Sequence, residues 1–192
     1  MKKRLGPREQ LYPMPAVLVL GGTMDEADAM AVAWIAIGGA TPPAVMMALR
    51  RTRRTLELIH ATGEFTVNTP RASQAAELDF FGITTGRGGR DKFAESGLTL
   101  EPGAVVSAPI IAECPHNLEC RVTREMEMGE YVIVIGEIVE THADESILDE
   151  TGEKPTMEGL DPLVYIPGMR EYRRLGEKVA DAYSIGKTIG DA

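Results

Sequence analysis

The chain has 192 residues, of which 44% are hydrophobic, and it carries a formal net charge of -9 at pH 7. This length and composition suit one domain with a substantial apolar core. The acidic balance and an aromatic content of only 5% argue against general nucleic-acid binding, which needs a broad basic surface or stacking platforms.

The compartment is indicated by the cysteines and by the N-terminus. Only two cysteines occur, Cys114 and Cys120. A disulfide framework normally needs more, so we expect a reducing compartment, the cytoplasm. The N-terminus is basic, but the apolar run that follows at residues 16–20 is too short for a signal sequence.

The first predicted element is a buried strand at residues 16–20, an apolar run bounded by Pro15 and by two glycines. Residues 1–14 before it are predicted to be an irregular lead-in. Asp25, Glu26 and Asp28 follow the strand and predict a hairpin loop over residues 23–28.

Residues 29–49 carry no charge and end at a group of arginines, so a membrane span has to be considered. The run is rich in alanine, and paired glycines and paired prolines interrupt it. Two strands, at residues 29–36 and 44–49, joined by a connection at 38–43, explain the pattern better. No association with a membrane is expected.

The basic segment, residues 50–55, has four arginines and two threonines in the order RRTRRT. It lies between a predicted strand and a predicted helix at residues 55–62, which Thr55 could cap. Free N–H groups at a helix N-terminus, arginine forks and threonine hydroxyls all suit an anion. The alternative is a solvated basic face. Such a local concentration in an acidic chain favours an anion site, most simply for a phosphate.

Three elements follow the basic segment. Gly63 is expected to end the helix at residues 55–62, and a strand is predicted at 65–68. A second helix is predicted at residues 73–81, capped by Ser73 and ended by Gly82. The glycine-rich loop at residues 84–92 lacks the spacing and the Gly-Lys-Ser/Thr ending of a Walker A motif.

The second half of the chain is predicted to be mainly β. Strands at residues 117–126 and 131–139 form a hairpin through a turn at Gly129, and shorter strands lie at 98–100 and 163–166. Residues 140–162 are charged and rich in turns, and a helix is predicted within the tail near residues 172–183. Short strands with two inserted helices predict a β-barrel with α additions.

Other side chains that could bind a metal or a ligand are weaker candidates for a functional site. Cys114, His116 and Cys120 could ligate a metal, but their spacing matches no strong motif and no fourth ligand is evident, so no metal site is predicted. Cys120 falls on the inward face of a strand, where cysteine acts as a small hydrophobe. His142 is expected to be solvated. Lys92 is either a surface lysine after a turn or a ligand contact.

An ordered set of short segments resembles the flavin reductase-like, FMN-binding split-barrel proteins, and within them the flavoredoxin and archaeal ferric-reductase branch. The matching segments are residues 15–20, 29–34, 42–43, 53–55, 63–68, 85–87, 91–93, 118–120, 129–131 and 136–139. Together they cover most of residues 12–176.

The resemblance implies a homodimeric split β-barrel of the Greek-key type in residues 15–166. The tail, residues 167–192, is then expected at the dimer interface, with FMN bound near it. The backbone of residues 30–33 would lie along the isoalloxazine, residues 48–55 would hold the ribityl chain and phosphate, and the loop with Gly86 and Lys92 would close over the flavin. Asp91 could orient Lys92. The implied cofactor contacts are Met30, Ala31, Val32, Ala33, Ala48, Leu49, Arg50, Thr52, Arg53, Thr55, Thr85, Gly86, Lys92 and Tyr131.

The chain departs from the family pattern at four of these positions or next to them. Many relatives have Asn where Asp28 stands and Ser or Thr where Ala31 and Ala33 stand, so only backbone contacts to the flavin are expected there. Many also have His where this chain has Tyr131. A tyrosine can stack or donate a hydrogen bond, but it does not replace an imidazole in proton transfer.

The expected function is an NAD(P)H-dependent flavin or ferric reductase that passes electrons through bound FMN, with no catalytic side chain required. No Gly-x-Gly-x-x-Gly fingerprint is present, so nicotinamide binding follows from the resemblance alone. One alternative is a flavoredoxin-type carrier that keeps FMN and docks its acidic surface on a basic redox partner. Another is a binding module for a different phosphate ligand.

Overall fold

A computed structural model describes residues 1–189 of the chain, so the end of the predicted tail lies outside the described residues. The strands are β1 (Met14–Pro15), β2 (Val17–Gly22), β3 (Ala27–Val32), β4 (Ile35–Ala40), β5 (Pro43–Arg50), β6 (Glu64–Thr69), β7 (Leu100–Glu101), β8 (Ile110–Ile111), β9 (His116–Met128), β10 (Tyr131–Ala143), β11 (Leu163–Ile166) and β12 (Glu171–Arg174). The helices are α1 (Arg54–Thr62), α2 (Ala75–Ile83), α3 (Lys92–Ser96) and α4 (Met157–Leu160). None of these helices in the described residues is long and apolar enough to cross a membrane.

One seven-stranded antiparallel sheet dominates the molecule, with strand order β3-β2-β6-β9-β10-β5-β4. Long connections place β6 beside β2 and β10 beside β5, as a Greek-key arrangement requires. The two edges, β3 and β4, follow one another in the chain. The wall of the barrel is therefore open where these two strands diverge.

The core has two clusters, one on each face of β2. Val17 and Val19 point into the barrel interior, where they join Ile59 and Phe65 among others. The alternate residues of β2 point outward and pack against α2. Because successive side chains in a strand face opposite sides, covering both faces requires a continuous apolar run. The predicted buried strand at residues 16–20 is thereby confirmed.

The prediction of one continuous strand at residues 29–36 is wrong, because β3 ends at Val32 and β4 begins at Ile35. Gly38 and Gly39 lie within β4, at a register shift, and do not form the predicted connection. The turn is reduced to residues 41–42. An edge strand tolerates glycine and irregular pairing because only one side of it is hydrogen-bonded.

Both predicted helices exist, but their starts differ from prediction. α1 begins at Arg54 without a side-chain cap, so Thr55 lies inside the helix and does not cap it. Gly63 ends α1 in the left-handed conformation, with φ 70°, as predicted. Ser73 lies in a short 3-10 turn, and α2 continues past Gly82 to Ile83.

The C-terminal region contains a strand where a helix was predicted. β12 pairs with β11, which also pairs with β1, and Tyr172 packs against Tyr165 across this small sheet. No helix occupies residues 175–183 of the described chain. Aromatic cross-strand pairing stabilises the strand in a way that local helix propensity does not reveal. The predicted hairpin of β9 and β10 is confirmed, and it extends beyond its predicted ends.

Candidate functional site

A cleft of about 300 Å³ opens where the end of β5 runs into α1. Four separate segments line it: β3, the basic segment, the start of the glycine-rich loop, and Lys92. The lining residues are Asp28, Met30, Arg50, Thr52, Arg53, Arg54, Thr55, Thr84, Thr85, Gly86 and Lys92. The structure therefore brings together eight of the predicted cofactor contacts, four of them from the basic segment and the others from β3 and from residues 85–92.

The arginines of the basic segment differ in what they already bind. Arg54 pairs with Glu26 and Glu57, and Arg51 pairs with Glu127 away from the cleft. The Nε of Arg50 donates to the Tyr131 hydroxyl at 3.0 Å. The guanidinium of Arg53 has no hydrogen-bond or ion-pair partner within residues 1–189. Arg53 is thus the cleft arginine whose full donor set is available to an anion.

The floor of the cleft is a buried polar network around Asp28. The Lys92 Nζ lies 2.6 Å from Asp28 Oδ1, and the exposed fractions of the two side chains are 3% and 7%. Thr55 Oγ1 donates to Asp28 Oδ2 at 2.5 Å, and Lys92 Nζ also donates to the Ala29 carbonyl. The two opposite charges neutralise each other, so the positive charge of the cleft comes from the arginines above them.

Lys92 is neither a surface lysine nor oriented by Asp91. The Asp91 carboxylate caps α3 by accepting from the N–H groups of Phe93 and Ala94. Asp28 orients Lys92 instead, from a strand far away in the sequence. Sequence reasoning identified Asp28 only as a departure from the family pattern and did not recognise its partners. The signal available was one acidic residue immediately before an apolar strand.

The glycine-rich loop packs closely against the cleft. A Cβ on Gly86 would lie 2.0 Å from Asp28 Oδ1, so no larger residue fits there. Arg87 Nη2 donates to the Thr52 carbonyl at 3.2 Å and to the Glu57 carboxylate. The loop is therefore tethered to the basic segment and to α1. Thr84, which sequence reasoning passed over, is buried and lines the cleft beside Thr85.

The remaining predicted contacts lie around this cleft. Ala31, Val32 and Ala33 line a neighbouring cleft on the far side of β3. Leu49 is fully buried in the barrel core, so only its backbone could face a ligand. Ala48 donates its N–H to the Trp34 carbonyl at 2.9 Å. Tyr131 stacks on Trp34 with ring centroids 4.9 Å apart.

The cysteines do not converge with His116 on a shared site. Cys120 lies in the barrel core, whereas Cys114 lies in the cluster against α2. Burial raises the pKa of both thiols to about 12. Among residues 1–189, no three His, Cys, Asp or Glu side chains are grouped closely enough to hold a metal ion.

His142 lies in β10 and not in the solvated loop predicted for it. Its Nε2 is 2.6 Å from Oε1 of Glu119, which is fully buried. Burial opposes ionisation of Glu119, but hydrogen bonds from His142 and from the N–H groups of residues 104–106 outweigh it and lower its pKa. This network attaches the loop before β8 to the sheet and lies outside the cleft.

Comparison with known proteins agrees with this architecture. The chain matches the Flavin reductase like domain over residues 9–176. A flavoredoxin structure from Desulfovibrio vulgaris (Miyazaki F) is 37% identical, with a TM-score of 0.91, over 97% of this chain and 100% of that one. A protein of uncharacterised function from Archaeoglobus fulgidus is 33% identical over 71% of this chain and 76% of its own.

A flavin reductase structure with a split barrel domain, from Shewanella frigidimarina, supports the fold alone. It is 23% identical, with a TM-score of 0.78, over 88% of this chain and 85% of that one. The predicted fold, a mainly β split barrel with helical additions, is confirmed. The chain belongs to the flavin reductase-like family.

Proposed function

We propose that this chain is a flavoprotein that binds FMN in the cleft and passes electrons from NADH or NADPH to a flavin, a ferric complex or another acceptor. The observation that carries the proposal is the uncommitted Arg53 guanidinium, which lies in a cleft bordered by β3, by threonine hydroxyls and by the start of α1. Membership of the flavin reductase-like family supports the redox role.

The residues of the cleft fit a phosphate group. Arg53 offers two parallel N–H donors, and Thr52 and Thr85 add hydroxyls. The nine-residue helix α1 has no side-chain cap, so its first N–H groups remain free to bind an anion. Arg50 adds positive charge at the rim. These groups would hold the phosphate end of FMN.

The neighbouring groups would orient the rest of the cofactor. β3 is an edge strand, and the Ala29 carbonyl on its outer side is bonded to Lys92, so the backbone groups beyond Ala29 would hydrogen-bond a flat ring; Ala31 and Ala33 keep that edge open. Tyr131 is held by Arg50 and Trp34 and can contact the ring without a proton-transfer role. When bound, FMN supplies the redox chemistry, and the protein supplies position and electrostatics.

The phosphate assignment is tested by titrating FMN into Arg53→Met and Arg51→Met variants while following flavin fluorescence. Both variants lose one charge from the same segment, but only Arg53 lines the cleft. Arg53→Met is expected to weaken FMN binding roughly 10- to 100-fold, the value of one or two charged hydrogen bonds, with little change for Arg51→Met. Equal effects in the two variants would show that general charge, and not the cleft, attracts the anion.

A flavoredoxin-type electron carrier is the second candidate, and the similarity to the Desulfovibrio flavoredoxin over nearly the whole chain favours it. The net charge of -9 would suit docking to a basic redox partner. Anaerobic stopped-flow mixing of the FMN-loaded protein with NADH or NADPH separates the candidates. Rapid loss of flavin absorbance supports the reductase, and an unchanged spectrum supports the carrier.

We also propose a cytoplasmic location, which the two buried free cysteines favour.

We propose further that two copies associate through the outer face of the sheet. Apolar side chains form two adjacent rows on this face, each crossing three strands: Ala36, Met46 and Ile135 on β4, β5 and β10, and Ala48, Ile133 and Met126 on β5, β10 and β9. The exposed fractions of Met46 and Met126 are 44% and 54%. A contiguous apolar patch of this kind marks an interface. Tyr131 and Arg50 border it, so a second copy would lie near the cleft.

A further inference from the structure

Four cationic side chains line the cleft between β3 and the start of α1, and carboxylates offset three of them. Three of the four are arginines, and two of these arginines pair with glutamates that lie outside the lining of the cleft. The fourth cation, Lys92, is offset by Asp28, the only carboxylate that lines the cleft among residues 1–189. Asp28 therefore places a negative charge inside a site whose other charges suit an anion.

Asp28 acts on two groups that would otherwise serve a bound anion. Its carboxylate lies 2.6 Å from the Lys92 ammonium, and it accepts the hydroxyl proton of Thr55. Thr55 lines the cleft, but a hydroxyl has only one proton to donate, and this one is directed to Asp28. Because the side chains of Asp28 and Lys92 are buried, mobile ions screen their charges little.

Lys92 is the cation whose charge Asp28 withholds from a ligand. Its Nζ also donates to the Ala29 carbonyl and lies 5.2 Å from the centroid of the Phe81 ring. These contacts fix the ammonium from the protein side while it still lines the cleft. Without the carboxylate, the ammonium would add a full positive charge to the cleft, whereas beside Asp28 it adds almost none.

We propose that Asp28 limits the affinity of this cleft for a phosphate ligand, so that FMN exchanges with solution and is not retained as a permanent cofactor. The carboxylate repels the phosphate, offsets Lys92 and occupies the Thr55 hydroxyl. The identity of the ligand as FMN rests on the proposed function, but the effect on anion binding does not. Exchange of FMN favours the reductase over the carrier, since a carrier keeps its flavin.

Asp28→Asn tests the proposal, because it removes the negative charge with little change in shape. Flavin fluorescence measures FMN binding by titration and FMN release after dilution. The variant is expected to bind FMN at least tenfold more tightly and to release it correspondingly more slowly. A merely structural role for Asp28 predicts weaker binding instead. Asp25→Asn removes an exposed carboxylate of the same hairpin, outside this cleft, and should change neither value.

A second pair of variants keeps the test informative if Asp28→Asn folds poorly. Lys92→Met leaves the Asp28 charge uncompensated and should weaken FMN binding at least tenfold. Combining it with Asp28→Asn removes both charges and should restore most of the lost affinity. A double variant as weak as Lys92→Met would show that Lys92 contacts the ligand directly, and that result would overturn the proposal.

Inorganic phosphate separates this inference from the proposed function. Without flavin, the melting temperatures of the native protein and of Asp28→Asn are followed against phosphate concentration at constant ionic strength. A larger increase in the variant would uphold the role of Asp28 even in a protein that fails to bind FMN, which would refute the proposed function alone. Equal increases would overturn the inference, as would a native protein that retains FMN through extensive dialysis.

Discussion

At the scale of single residues, the cleft depends on a buried ion pair that supports it from below. Asp28 binds Lys92 and Thr55. The three side chains satisfy one another in a region closed to water. Removing one partner of such a pair costs more than removing both, because the remaining charge is left buried and uncompensated.

Lys92→Met is therefore expected to lower the free energy of unfolding by about 3–5 kcal/mol. The double variant with Asp28→Asn should recover much of this loss, since no isolated charge remains. Urea unfolding followed by circular dichroism measures both values. Lys178→Met removes an exposed pair with Asp181 and should change stability little. A loss below about 1 kcal/mol for Lys92→Met would show that the pair is not effectively buried.

At the scale of elements, the close approach of β6 and β10 inside the barrel depends on one glycine. A Cβ on Gly136 would lie 2.4 Å from Cζ of Phe65, whose side chain is fully buried in the core. Gly136 thus makes room for the largest side chain of the barrel interior. A β-bulge at Ile135 and Gly136 accompanies this contact in the pairing of β10 with β9.

Gly136→Ala is expected to destabilise the protein by about 1–3 kcal/mol, the usual cost of overpacking a core. Gly39→Ala is the matched control within a strand, since the nearest atom to its added Cβ lies at 3.4 Å, in ordinary contact. That control should be neutral or slightly stabilising. Thermal unfolding of the two variants gives the comparison, and similar melting temperatures would mean that Phe65 moves aside without cost.

At the scale of the whole molecule, the sheet has one face that residues 1–189 do not cover. The outer face of β4, β5, β10 and β9 presents aliphatic and methionine side chains. The first row ends at Arg124 of β9, which lies opposite Ile135, whereas the second row continues through Ile133 to Met126. The proposed homodimer would remove this apolar area from water.

Ile133→Glu is expected to convert the proposed dimer into a monomer, because it places a charge between Ala48 and Met126 in the proposed interface. Light scattering coupled to size-exclusion chromatography measures the mass directly. Val105→Glu adds the same charge at an exposed apolar residue outside this face and should leave the dimer intact. A native protein that is monomeric at all concentrations would contradict the proposal.

Much of the fold could be predicted because its signals are local. Gly63 ends α1 in a conformation that glycine adopts freely, and the β-branched residues within 131–139 indicate a strand. The basic segment indicated an anion site through its own composition. The structure places five of its six residues in a cleft, whereas Arg51 lies outside it, and Arg51 and Arg54 are already paired with carboxylates.

Other features could not be predicted from the local sequence, because they depend on which strands each segment pairs with in the folded protein. The division of residues 29–36 into β3 and the start of β4 reflects the two edges of the sheet, and local hydrophobicity is similar on both sides of the break. The strand β12 replaces the predicted helix because β11 offers it a hydrogen-bonding edge. Pairing partners of this kind override modest intrinsic propensities.

The sequence by itself determined the strongly apolar strands, the helix ends marked by glycine and the position of the basic segment, since each follows from side chains within a few residues of one another. The tertiary structure alone decided which arginine is free, and that Asp28 holds Lys92 and Thr55. Those outcomes depend on burial and on partners distant in the chain, because a charge is compensated by whatever lies next to it in space.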